Sequence, residues 1–193
     1  MLNMLIEILL SLLLLIPVFC VLNKCRFHDS KKTALYFVFA TYLSAVYLLV
    51  GMPTLQFMRF DLSLTLVPFL PMVADFKNII LNIILFVPLG ILLPFLWKKY
   101  NTLKATAVFG FMMSLSIELL QLFTYRATDI NDLIANTLGT VFGYFLFRMI
   151  SYLAPSVRND AKRKTEVTAV IVPVILVMFF VQPYLASIFY KIT

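Results

Sequence analysis

Six stretches of this chain are apolar for about the 20 residues a helix needs to cross a bilayer core. They run roughly Leu2–Leu22, Thr33–Met52, Asn78–Trp97, Leu103–Phe123, Ile130–Tyr152 and Val167–Phe189. Hydrocarbon offers no water to unpaired N–H and C=O groups, so such runs must satisfy their own backbones as helices. The fold class that follows is all-α: a polytopic helical bundle of about six transmembrane helices in a single membrane domain, 1–193. Composition agrees with that class. Of the 193 residues, 62% are hydrophobic and 13% charged, against about 45–50% and 25% in a water-soluble domain.

The first run has no basic leader and no small-residue cleavage site, so an uncleaved helix is expected rather than a signal peptide. The formal net charge of +7 is explained by topology. Lys24, Arg26, Lys31, Lys32, Lys98, Lys99, Lys104, Arg148, Arg158, Lys162, Arg163 and Lys164 fall on one side of a six-helix arrangement. Arg59, Lys77, Arg126 and Lys191 fall on the other. Inner loops carry the excess of basic residues, which predicts that the richer side faces the cytoplasm and that both termini lie outside. No basic patch is interleaved with aromatics as in single-strand binders, so no nucleic-acid partner is expected. Cys20, Cys25 and His28 match no zinc spacing, and His28 is the lone histidine. That removes most Ser-His and His-metal schemes.

Between the second and third runs, Pro53–Lys77 is neither fully apolar nor plainly soluble. It is expected to lie at the interface or fold back between helices where protein covers it. In the third run Pro88 should bend the helix, and Trp97-Lys98-Lys99 reads as an interfacial end.

The polar residues concentrate between Ser114 and Gly143. Ser114, Glu118, Gln121 and Tyr125 recur at i, i+4, i+7 and i+11, on one helical face. Glu118 falls about 9 Å from the outer end of its run at roughly 1.5 Å per residue. An acidic residue at a helix centre costs about 2.5–3.5 kcal/mol on insertion, so Glu118 should face the bundle interior, protonated or paired with a cation. Arg126, two turns away, is the nearest partner in sequence. Asp132, Asn136, Gly139 and Gly143 repeat the same spacing on the fifth run. Asn78 and Asn82, i and i+4, add amides at the outer end of the third.

Each piece has a structural reading as well. Asn78, Asn82, Gln121 and Asn136 suit interhelical hydrogen bonding. Asp129 suits an N-cap, with Asp132 complementing the dipole of the same first turn. Gly139 and Gly143 form a GxxxG packing step. Glu118 with Arg126 is the exception, since ionisable groups within a membrane mark functional sites by default.

Three motifs in order then resemble a known family, the VanZ-like membrane proteins. The first is an Asn-rich helix start running into F-x-P-[LF]-G, at Asn82, Phe86, Pro88, Leu89 and Gly90. The second is an S-x-x-[IF]-E-x-x-Q helix, at Ser114, Glu118 and Gln121. The third is R-x-x-D-x-x-D-x-x-x-N-x-x-G-x-x-x-G, at Arg126, Asp129, Asp132, Asn136, Gly139 and Gly143. The resemblance covers roughly Leu35–Tyr152, leaving an extra N-terminal helix at 2–22 and a C-terminal helix at about 167–189. Where many members have Asn-Leu-x-Pro-Phe, this chain has Thr65-Leu66-Val67-Pro68-Phe69.

The resemblance implies a bacterial cytoplasmic-membrane protein linked to reduced susceptibility to teicoplanin-type lipoglycopeptides. Two mechanisms fit the residues. In one, an outer-leaflet pocket binds an envelope lipid, a lipid-linked cell-wall precursor or the drug, with Arg126 on an anionic group and Asn78, Asn82, Gln121 and Asn136 orienting it. In the other, a membrane-embedded enzyme uses Glu118 with Asp129 or Asp132 as acid and base on a lipid-linked substrate. No strong nucleophile is in sight. Carboxylate and amide oxygens suit Mg or Ca, so Glu118, Asp129 and Asp132 form a conceivable ion site, but no metal or cofactor is expected. A transporter fits loosely, because the inverted repeats that mark many transporters are absent.

Overall fold

In a computed structural model of the chain, residues 2–53, 64–65, 76–124, 128–153 and 166–192 are described. The fold is all-α, and six helices are long and apolar enough to cross a membrane. The chain divides into two compact units, 1–59 with 165–193, and 60–164.

In the first unit α1 (Leu2–Leu22) continues into a π-helical turn, Asn23–Phe27, which His28 ends at φ 52°. Asp29 then caps α2 (Ser30–Leu49), its carboxylate accepting the N–H groups of Lys31 and Lys32 at 3.0 and 3.2 Å. The hairpin closes on aromatic edges, Phe19 on Phe37 and Phe27 on Tyr36, with centroids 5.5 and 5.0 Å apart. Helix α2 stops where Gly51 takes φ 64°, a left-handed turn that costs glycine nothing and other residues a steric clash. The sixth apolar run is α6 (Glu166–Leu176), a π-helical turn Val177–Val181, and α7 (Gln182–Ile192). Pro183 supplies no N–H to the turn before it, and the widened turn falls there.

The second unit holds α3 (Phe76–Leu96), α4 (Leu103–Gln121) and α5 (Ile130–Leu153). Helix α3 is continuous through Pro88 and Pro94. Trp97 is buried, so the interfacial role expected of Trp97-Lys98-Lys99 falls to the two exposed lysines. A 3-10 turn, Lys98–Tyr100, leads into α4. There Thr106 Oγ1 donates to the Tyr100 carbonyl at 2.6 Å, and the Tyr144 hydroxyl donates to the Asn101 carbonyl at 3.3 Å. Burial pushes the Tyr100 phenol above its ordinary pKa. Large apolar side chains stay exposed along the helices, among them Ile84, Met112, Leu119, Phe142 and Phe145. In a bilayer these are the lipid-facing positions.

Most of Pro53–Lys77 lies outside the described residues, and with it the choice between an interfacial and a re-entrant path. What is described is a short parallel pairing, β1 (Leu64–Thr65) with β2 (Thr128–Asp129), Leu64 opposite Thr128 and Thr65 opposite Asp129. This two-residue ladder joins the loop before α3 to the turn before α5.

Candidate functional site

The site stands where α4 ends and α5 begins, and its geometry follows from how α5 packs. Gly139 lies against Ile83 of α3, and Gly143 against Val87 and Gly90. Both numbers rise by four together, so α3 and α5 run parallel. A Cβ built on Gly90 would stand 2.9 Å from the Gly143 Cα and 2.8 Å from the Tyr144 nitrogen. Real side chains do not tolerate that. The GxxxG step is therefore packing, as its spacing suggests.

Toward α4 the register is antiparallel. Gly110 lies against Thr140, and one turn on Asn136 Nδ2 donates to Ser114 Oγ at 2.9 Å. The next turn sets Glu118 beside the start of α5. Glu118 is only 4% exposed, and its Oε2 accepts the Asp129 backbone N–H at 2.9 Å. The first N–H groups of a helix have no intrahelical acceptor, and negative charge is favoured there. An acidic side chain costly in hydrocarbon thus finds the one kind of backbone group that wants it.

Asp129 caps the same helix. Its Oδ1 accepts both the Asn131 backbone N–H at 2.8 Å and Asn131 Nδ2 at 2.9 Å. Asn131 escaped the sequence reading, although Asp129-Ile130-Asn131 ahead of an apolar run is a cap signature. Asp132 follows half-buried in the first turn of α5. Gln121 is buried at the end of α4. There Thr124 closes the helix, donating its N–H and its hydroxyl to the Gln121 carbonyl, both at 2.9 Å.

Asn136 is 2% exposed. Its Oδ1 is buried without a hydrogen-bond partner among the described residues. Whichever way the amide is turned on Ser114, one polar end is left over, and such atoms are rare in folded proteins.

The structure thus brings together Ser114, Glu118, Asp129, Asn131 and Asn136. Gln121 and Asp132 sit within a turn of them. It does not draw in the third helix as fully. Asn78 is exposed at the start of α3 and Asn82 half-buried one turn on. Arg126 lies outside the described residues, so its expected pairing with Glu118 does too. Among the described residues no three His, Cys, Asp or Glu side chains gather as metal ligands would. Asp129 points its Oδ1 into its own helix start.

Comparison with known proteins places this site in context. Protein VanZ of Enterococcus faecium is 40% identical over 86 residues. The alignment takes in 44% of this chain and 52% of the relative, so the chain spans about half the length of the curated relative it matches. No solved structure matches. The VanZ/LLP1 family model matches residues 8–151, which begins within α1 and ends near the end of α5. About three quarters of the sequence is covered, including every residue of the α4–α5 site, and the chain belongs to the VanZ/LLP1 family.

Proposed function

We propose that this protein lowers susceptibility to glycopeptide antibiotics of the lipoglycopeptide, teicoplanin type. It does so by binding an envelope lipid, a lipid-linked cell-wall precursor or the drug at the α4–α5 site. Family membership and the relative named Protein VanZ support the resistance role. One observation supports the site: a carboxylate buried in a membrane-length helix, Glu118, accepting the Asp129 N–H just ahead of α5, one helical turn along α4 from Ser114, which holds the half-satisfied amide of Asn136.

The chemistry follows from those groups. Glu118 accepts, and the leftover Asn136 amide atom seeks a partner that a ligand hydroxyl or amide supplies. Arg126, eight residues beyond Glu118, carries a planar fork suited to a phosphate or carboxylate. The excess of basic residues in alternate loops supports an orientation with this end at the outer face of the cytoplasmic membrane. Acid–base chemistry by Glu118 with Asp129 or Asp132 is the second reading; in it Asp129 would act through Oδ2, since its Oδ1 is engaged with Asn131.

Glu118→Gln keeps the shape and an acceptor oxygen but removes the charge. Expressed at equal membrane abundance, it is expected to lose most of the protection against teicoplanin in an inhibitory-concentration assay. Full protection by the variant would sink the role of Glu118. Orientation is tested separately, by a membrane-impermeant thiol reagent on intact cells. In a background lacking Cys20 and Cys25, Thr128→Cys should be labelled and Ser156→Cys protected. The reverse pattern turns the molecule over.

A further inference from the structure

Helices α1 and α2 flank an open groove in the first unit, far in sequence from the site above. Its walls come from matching stripes, Ile16, Phe19, Cys20 and Asn23 on α1 and Ser30, Thr33, Ala34 and Phe37 on α2. Both stripes follow i, i+3, i+4, i+7, so each helix presents one face. The Phe19–Phe37 edge contact spans the apolar part. Towards the hairpin turn the lining becomes polar. Asn23 Oδ1 is occupied, accepting the Thr33 hydroxyl at 2.8 Å and the Asp29 N–H at 3.1 Å. Its Nδ2 reaches Ser30 Oγ only at 3.5 Å, so N–H donors remain at the mouth.

Charge gathers at the same end. Lys24 follows Asn23, Arg26 lies in the same π-helical turn, and Lys31 and Lys32 stand between Ser30 and Thr33. Asp29, in the same turn, has its Oδ1 turned onto the start of α2. Lys32 leans over the Tyr36 ring, 5.7 Å from its centre. Lys24 and Lys31 are exposed. An open apolar groove between spanning helices, with an amide donor at one end and lysines beside that end in sequence, matches a molecule with an acyl chain and an anionic phosphate.

We propose that the α1–α2 hairpin is a binding site for one anionic phospholipid. An acyl chain lies in the groove along Phe19, Ala34 and Phe37. The phosphodiester sits at the mouth against Lys24, Lys31 and the Asn23 amide. Cation clusters beside a membrane helix are the expected docking point for such headgroups. The apolar wall makes this more than surface attraction, because it requires the chain as well as the charge. The inference stands on different residues from the proposed resistance site and does not depend on it.

Native mass spectrometry of the full chain in detergent tests it, with palmitoyl-oleoyl phosphatidylglycerol as probe and phosphatidylcholine of the same chains as reference. One phosphatidylglycerol should be retained in clear preference to phosphatidylcholine. Lys24→Gln with Lys31→Gln, both exposed and tolerant of change, should weaken that retention about 25-fold, at roughly fivefold per surface cation. Ala34→Trp, which fills the groove and leaves the cations in place, should abolish it. Glycerophosphoglycerol, the headgroup without chains, should fail to compete at equal concentration. Equal retention of the two lipids, or an unchanged double variant, overturns the proposal. Retention surviving Ala34→Trp, or competition by the free headgroup, shows charge attraction without a groove and overturns it as well. Circular dichroism confirms that each variant keeps its helices.

Discussion

Against α3, helix α5 sets glycine; against α4, it sets groups that hydrogen-bond. Gly139 and Gly143 face Ile83, Val87 and Gly90, while Asn136 and the Asp129 N–H face Ser114 and Glu118. The first seam works by exclusion. Lipid tails are as apolar as leucine, so close approach and dispersion contacts, not burial from water, hold membrane helices together. A seam of that kind has no exchangeable part. The second seam is made of donors and acceptors that a ligand can share, and it holds a buried amide atom still unspent. One helix thus fixes the scaffold along one row and offers chemistry along the next.

The largest effect should come from breaking the glycine seam. Gly143→Leu places a side chain where a Cβ alone already meets Val87 and approaches the Gly90 Cα to 3.0 Å. Neither neighbour is a flexible side-chain tip. Overpacking costs about 1–3 kcal/mol and occasionally more, and backbone against backbone belongs at the upper end. We expect little monodisperse protein after extraction, with loss of α3–α5 contact in the remainder. Recovery at wild-type yield and stability would mean the seam is not the scaffold.

A smaller effect should follow from emptying the polar seam at its strongest point. Glu118→Ala leaves the Asp129 N–H without its acceptor in a buried setting, a loss of about 1–3 kcal/mol. Glu118→Gln retains an acceptor and should stay near wild type in stability while losing protection. Steric-trap or denaturant unfolding in bicelles separates the two. If both variants unfold alike, the bond to Asp129 contributes nothing and Glu118 acts through its charge alone.

How much of this was legible in sequence differs between the two seams. The six spans were plain, because hydrocarbon length and backbone satisfaction leave one solution. The GxxxG step and the Asp129 cap were also readable, since both are local. The face shared by Asp132, Asn136, Gly139 and Gly143 read as one, yet it divides between two neighbours. Periodicity gives an angle on a helix but not which partner occupies it. Asn131 was missed for its ordinary look, although it supplies both donors to Asp129. The Leu64–Thr65 ladder on Thr128–Asp129 could not be anticipated, because two residues carry no pattern and the pairing spans a distant part of the chain. Asn78, whose spacing with Asn82 suggested a third wall, stands exposed at the start of α3, and spacing alone does not give that exposure.

The smallest expected effect sharpens the comparison most, because it asks whether the polar seam holds structure at all. Ser114→Ala and Asn136→Ala each remove one side of the 2.9 Å bond, and the double variant closes a thermodynamic cycle. Hydrogen bonds between membrane helices average about 0.6 kcal/mol by such cycles. The Ser114–Asn136 coupling should fall near that value. Part of Asn136's buried polarity is already uncompensated, so removing its side chain also relieves a cost. Asn136→Ala alone should therefore destabilise by less than a fully satisfied buried amide would, while still reducing protection. A coupling well above 1 kcal/mol would make Ser114–Asn136 a structural clasp comparable to the glycine row. A small coupling with lost protection would mark Asn136 as a group held ready for a ligand rather than for its neighbour.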